Sequence, residues 1–340
     1  MLAGIIEIES NQYSPEVRKY ERILAYNGVQ CVRLSIHEAG FWDRLGNLDL
    51  LIYVAQEYTL VKEVARSVLP VIDQCSQVKC IPDMPTFWPY DDRIKSYYLL
   101  RQAGAPIPDT SIFWHRSRAL EWIKHASMPL VFKLRAGSGA QNSIIIRSRK
   151  QAEMLVRRMF GKGGSTGSTP LYTCQKFKTY PDQMLKNISS ELQYIISEAS
   201  ESIWDRHKNY VLFQQYIPDR IFETRILVIG NRAFLLRSHD GDYPTSGRQE
   251  DNSPLERKSI EMALTVARQL KAQYTTFIFV FDEKKQPYIT DLTFAIPSDA
   301  DVLEGYWDHE LRWHHGPFWP QYFCLLDQMN VPGLKHPDIS

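Results

Sequence analysis

Lys133 lies inside an apolar run, PLVFKLRAGSG (129–139), flanked by Val131, Phe132 and Leu134. A lysine in such a strand must either reach the surface or meet an anion. Taken alone, an outward lysine on an edge strand is the plainer reading. Gly137, Ser138 and Gly139 follow four residues later, and small residues let backbone N–H groups approach a phosphate closely. A strand lysine beside a glycine-rich loop is a recurrent way to hold nucleotide phosphates. GKGGST (161–166) lacks the first glycine of the P-loop pattern. Further on, Arg225 and Arg237 flank a Gly230-Asn231 turn. Each lies six residues from Asn231, and on that count the two-residue strand period is expected to place both on one hairpin face. Asp291 interrupts another strand-like run, QPYITDL (286–292). A carboxylate near a triphosphate is repelled unless a cation lies between them.

These residues belong to a chain of 340 residues, long enough for two or three domains. Apolar residues make up 44% and charged residues 23%, which excludes a disordered, collagen-like or coiled-coil protein. Lys plus Arg number 40 against 39 Asp plus Glu. No charge excess drives the chain toward nucleic acid or an anionic membrane, so phosphate affinity must come from a local cluster. The opening MLAGIIEIES does not read as a secretion signal, and no run approaches the length of a membrane span. Five scattered cysteines then suit reduced thiols and a cytoplasmic location. Cys75 and Cys80 lack a second pair at zinc spacing. A homodimer is the base-rate expectation.

The elements that must position the chemistry are legible in outline. Strands are expected over 2–9, 31–36 and 48–55, with a helix over 15–26 closed by Gly28. Strand–helix–strand order with short turns argues a parallel sheet. Pro-rich IPDMPTFWPY (81–90) reads as a linker. A helix capped by Asp91 and stopped by Gly104 follows. Strands fit 111–114, 129–134, 143–147, 211–217, 224–230, 232–238, 275–282 and 286–292, and helices 118–126, 149–159, 180–200 and 254–270. The last 45 residues, rich in Trp, His and Pro, suit an aromatic cover more than a metal site on His309 and His314.

In this order the chain from about Asp91 to Pro297 resembles the ATP-grasp superfamily. It is most similar to its carboxylate–amine ligases, such as D-alanyl-D-alanine ligases, glutathione synthetases and ribosomal-protein glutamate ligases. The resemblance implies an α/β fold: a pre-ATP-grasp domain over 1–88, a linker helix and central lobe over 89–217, and a C-terminal lobe with tail over 218–340. It implies ATP and Mg²⁺ as cofactors, and small-molecule or peptide carboxylates and amines as substrates. Arg93 and Lys95 would contact phosphate, as would Lys133, with Gly137, Ser138 and Gly139 closing over it. VLFQQYI would hold adenine through Gln214, Gln215, Tyr216 and Ile217, with Asp219 on the ribose. Arg225 and Arg237 would face an acyl phosphate. Asp291 and Thr293 stand at two metal-ligand places, and Phe279, twelve residues before Asp291, at the place of a family Asp. Asp282 is a substitute ligand. The implied activity is an ATP-dependent amide- or peptide-forming ligase using an acyl phosphate. The alternatives are an ATP-grasp phosphotransferase on a hydroxyl, or a non-catalytic nucleotide binder with a degenerate metal site.

Overall fold

The computed structural model describes residues 1–7, 14–54, 59–136, 143–164, 206–217, 223–236, 254–298, 300–329, 331 and 333–339. The chain forms two compact units. One joins Met1–Tyr90, Gln102–Ala105 and Ile221–Ser340; the other is Asp91–Arg101 with Pro106–Arg220. The helix expected over 180–200 lies outside the described residues.

The first unit begins with a parallel sheet, as strand–helix–strand order predicts. Strands β1 (Leu2–Glu7), β2 (Gln30–Ser35), β3 (Leu50–Ile52) and β4 (Lys79–Ile81) lie in the order β2-β1-β3-β4. Helix α1 (Pro15–Tyr26) starts on proline, where the missing N–H costs nothing, and buries Val17, Tyr20, Ile23 and Leu24 at helical spacing. Gly28 at φ +67° closes it, and Val29 N–H reaches back to Leu24 O. Helices α2 (Phe41–Leu45) and α3 (Thr59–Cys75) precede β3 and β4.

The Pro-rich stretch is no linker. Its first residue ends β4, and Asp83 then caps the short helix α4 (Met84–Phe87). Thr86, Phe87 and Tyr90 are buried. Gln273, 190 residues away, accepts the Asp83 N–H and donates to Cys80 O. This packing fixes a segment whose composition alone suggests a turn.

The rest of this unit is an antiparallel sheet of six strands, in the order β12-β11-β9-β10-β13-β14. The strands are β9 (Glu223–Ile229), β10 (Arg232–Leu236), β11 (Tyr274–Phe281), β12 (Pro287–Thr293), β13 (Leu303–Trp307) and β14 (Trp313–Phe318). Leu227, Ile229, Phe234 and Tyr274 on one face share a core with Ile5, Ile23 and Ile52 of the parallel layer. The alternate residues face helix α8 (Pro254–Leu270), which buries Ile260, Ala263, Leu264 and Ala267. Helix α9 (Pro320–Gln328) adds Phe323 and Leu325 to the shared core. The tail is thus two strands and a helix, and its rings form the expected aromatic cover: Tyr306 meets Phe234, Phe318 and Phe323 with centroids 5.1–5.7 Å apart.

The second unit is a four-stranded antiparallel sheet, β5-β8-β6-β7, of β5 (Thr110–Phe113), β6 (Leu130–Lys133), β7 (Ser143–Ile146) and β8 (Val211–Gln215). Helices α6 (Arg116–Ile123) and α7 (Arg149–Met159) cover one face around Phe132, Ile144 and Phe213. Helix α5 (Arg93–Gln102) enters this unit. Among the described residues no helix is long and apolar enough to cross a membrane.

Candidate functional site

In the second unit, β6 sends Leu130 and Phe132 into the core and Val131 and Lys133 to the opposite face. Lys133 is 7% exposed, in register with Ser143 and Leu212. Two residues on, Arg135 turns onto Asp92: Nε and Nη2 both reach Oδ2, at 2.8 and 2.5 Å. The other oxygen of Asp92 accepts the N–H groups of Ile94 and Lys95 at 3.1 and 3.2 Å. Asp92, not Asp91, therefore caps α5, and its side chain is only 4% exposed. Arg93 N–H donates to Arg135 O at 2.8 Å, and its Nη1 to Leu134 O at 3.2 Å. The Arg135 N–H donates to the Tyr210 hydroxyl at 2.7 Å. Lys95 Nζ stands 3.9 Å from Asp92.

This network pins the start of α5 to the end of β6. It brings Lys95 and Arg135 to one carboxylate and ties Arg93, the next residue of the chain, to the backbone two residues beyond Lys133. Because Asp92 already occupies the helix N-terminus, any anion here would be held by these cations and not by the helix end. On β8, Gln214 shares the Lys133 face of the sheet. It is buried, and its Nε2 donates to Thr110 Oγ1 at 3.2 Å. Gln215 is exposed and its N–H donates to Asp109 O; Tyr216 is half-buried and Ile217 buried.

In the first unit, Arg225, Ile278 and Asp291 are neighbours across β9, β11 and β12, and so share one face. Thr293 lies two residues on, opposite Thr276. Thr290 is an extra residue: pairing steps from Ile278–Asp291 to Phe279–Ile289. Counting twelve residues back from Asp291 therefore misses its true neighbour. Phe279 is fully buried on the α8 face, opposite Thr224 and Ile289. Ile278 is the side chain beside Asp291. Asp282 is used elsewhere, since its Oδ1 accepts Gln286 N–H at 2.8 Å in the β11–β12 turn. It lies four residues beyond Ile278, about 13 Å along the strand, so the structure does not bring it to Asp291. The register sets Leu236 opposite Arg225, as a two-residue turn at Gly230-Asn231 requires, so Arg237 is not its cross-strand neighbour.

The tail histidines do not converge. His314 Nε2 lies 2.8 Å from Asp308 Oδ2, and its ring stacks on Tyr306 at 4.7 Å, while His309 is exposed. Burial raises the Asp308 carboxyl, but hydrogen bonds from His314, Arg312 and Glu310 outweigh it and hold the group well below the usual range. Among the described residues no three His, Cys, Asp or Glu side chains form a metal cluster.

No protein-family model and no curated protein matches this sequence. Solved structures do. A RimK-domain ATP-grasp protein from Sphaerobacter thermophilus superposes with a TM-score of 0.53 at 13% identity, over 86% of this chain and 90% of its own. An ADP complex of N5-carboxyaminoimidazole ribonucleotide synthetase gives 0.55 at 12%, over 88% and 71%. D-cycloserine synthetase gives 0.52 at 11%, over 88% and 93%. The chain has the ATP-grasp fold. Within the ATP-grasp fold, the residues expected at the phosphates divide plainly. Arg93 and Lys95 lie at the start of α5, which is tied through Asp92 to Arg135, two residues beyond Lys133. Gly137, Ser138, Gly139, Asp219 and Arg237 lie outside the described residues. Arg135 was missed by sequence reasoning. The available signal was its place two residues after Lys133, but only the fold brings Asp92 to it. As a magnesium site, Asp291 and Thr293 offer one carboxylate and one hydroxyl, with hydrocarbon from Ile278 beside them. That set fits an ion that also takes substrate phosphates and water.

Proposed function

We propose that this chain is an ATP-dependent carboxylate–amine ligase. The observation that carries the reading is the tie from the buried Asp92, at the start of the helix bearing Arg93 and Lys95, to Arg135, two residues beyond the buried Lys133. A buried carboxylate that fixes two arginine-bearing segments preorganises positive charge, which is what phosphoryl transfer requires of a protein. In this reading Arg93, Lys95 and Lys133 hold the phosphates of ATP, with Gly137, Ser138 and Gly139 over them. Gln214, Gln215, Tyr216, Ile217 and Asp219 hold the nucleoside. The substrate carboxylate attacks the γ-phosphorus, the bond to the β-phosphate oxygen breaks, and ADP leaves. Arg225 and Arg237 face the acyl phosphate. The amine then attacks its carbonyl carbon and phosphate departs, leaving an amide. Mg²⁺, when bound, supplies charge neutralisation at the phosphates, and Asp291 with Thr293 would hold it. Residues 1–88, 89–217 and 218–340 are the three segments of this arrangement.

Incubation with Mg-ATP and panels of carboxylates and amines tests the proposal. ADP and phosphate released only when both substrates are present supports it. Phosphate retained on a hydroxyl product identifies a phosphotransferase. One observation favours a second reading: Ile278 beside Asp291 leaves a lean metal site, as a non-catalytic nucleotide binder would have. Nucleotide affinity with no turnover on any panel would select that reading.

A further inference from the structure

A cavity of about 260 Å³ opens in the first unit, where the β9–β10 turn, the end of α8 and the Asp83 segment meet. It is below the size of a drug-like pocket, so it suits a small metabolite. Gly230 follows β9, five residues beyond Arg225 and about 16 Å along the strand direction, so this is a different place from the Arg225–Asp291 row.

Both signs of charge line it. Asp83 keeps Oδ1 for the Thr86 N–H and hydroxyl, at 3.1 and 2.5 Å. Oδ2 takes no hydrogen bond from any described residue. Burial pushes this carboxyl up, as expected of a carboxylate that no cation neutralises. Gln273 is fixed at both ends of its amide, to Asp83 and Cys80, and cannot turn to serve Asp83 Oδ2. Asp327 is already occupied, both oxygens accepting from Arg232 Nη1 at 2.9 Å. The C-terminal end of α8, with its partial negative charge, points the same way. At the rim, Arg268 and Lys271 are exposed and form no ion pair with a described residue.

A lone anion entering this cavity would meet Asp83, since the Asp327 carboxylate is paired with Arg232. A lone cation would meet Arg268 and Lys271. A molecule carrying both charges a few ångströms apart satisfies each end. We propose that this cavity is a second ligand site, taking a small zwitterion of the α-amino-acid class with its ammonium on Asp83 and its carboxylate between Arg268 and Lys271. The site goes beyond the ligase reading and does not depend on it.

Calorimetry on the full chain without nucleotide tests it, using glycine and L-serine as zwitterions and methylammonium chloride and sodium acetate as single-charge controls. The zwitterions should bind at least about tenfold more tightly than either control, as one charge-assisted contact implies. Asp83→Asn keeps an N-capping oxygen for Thr86 and should weaken glycine binding by about tenfold or more. The surface double variant Arg268→Ala/Lys271→Ala should do the same, and it decides the matter if Asp83→Asn fails to fold. Arg225→Ala should leave glycine binding unchanged. Absence of heat at about 10 mM glycine, well above a millimolar dissociation constant, overturns the proposal. So does binding that survives the double variant, or binding lost in Arg225→Ala, which would assign the amino acid to the Arg225 row instead.

Discussion

Lys133→Met removes a charge and keeps an unbranched apolar stem of similar length. Lys133 is 7% exposed on β6, so its stem lies in packed surroundings that methionine can fill. The fold should therefore hold to within about 1 kcal/mol, the range of volume-conserving swaps. The effect on nucleotide should be larger. One charge-assisted hydrogen bond is worth about 1.5–3 kcal/mol, or roughly 10- to 150-fold in affinity. Neighbouring cations cannot readily take over. Arg93 is tied through Nη1 to Leu134 O, and Arg135 is held by two nitrogens on Asp92. ATP and ADP should both lose affinity, whereas adenosine, which has no phosphate, should bind as to wild type. The ATP deficit should shrink as salt rises, because wild-type binding loses more to screening. Titrations of all three ligands at two salt concentrations, with melting curves for both proteins, provide the check. ATP affinity within twofold of wild type in a folded mutant would remove Lys133 from the phosphate site. An equal loss for adenosine and ATP would show that Lys133 acts through the fold, and the electrostatic reasoning would fail.

Three further outcomes follow from the same geometry. Asp291→Asn keeps the shape but removes the charge, so turnover should drop by orders of magnitude while metal-free nucleotide binding holds or tightens; a wild-type ATP affinity indifferent to Mg²⁺ and chelator would sink the metal role. Gly230→Ala must accept φ +56° and a Cβ that collides with Asp327 Oδ2, so it should cost about 1–3 kcal/mol, and an unchanged melting temperature would contradict this. Asp308 sits below its ordinary value in the folded chain, so its stabilisation is present above the unfolded carboxylate pKa near about 4 and is lost as pH falls toward the folded value. Trp307 and Trp313 lie on the two strands of that hairpin, so their fluorescence should change through that acid window in wild type but not in a folded Asp308→Asn protein.

What the sequence determined by itself is local. Apolar spacing set α1, α7 and α8, because a 3.6-residue period follows from the helix alone. The strand–helix–strand order at the N-terminus was enough for a parallel sheet. Lys133 stood out because a lysine amid Val131, Phe132 and Leu134 must be explained wherever it lies. The order of these pieces was sufficient to identify the ATP-grasp resemblance that the solved structures bear out.

What the tertiary structure decided depends on partners far away in the chain. Arg135 carries no signal until Asp92, 43 residues earlier, is brought to it. Residues 81–90 look like a linker until Gln273 ties Asp83 and Cys80 to the far end of the chain. The strands β13 and β14 escape notice because polar residues such as Glu304, His314 and His315 interrupt them, and the pairing of β13 with β10 and of β14 with β13 is what holds them. Thr290 shows the limit most sharply. One extra residue in β12 shifts the register, sends Phe279 to the α8 face and sets Ile278 beside Asp291. Residue counting assumes that separation along the chain equals separation across a sheet, and a single bulge removes that equality.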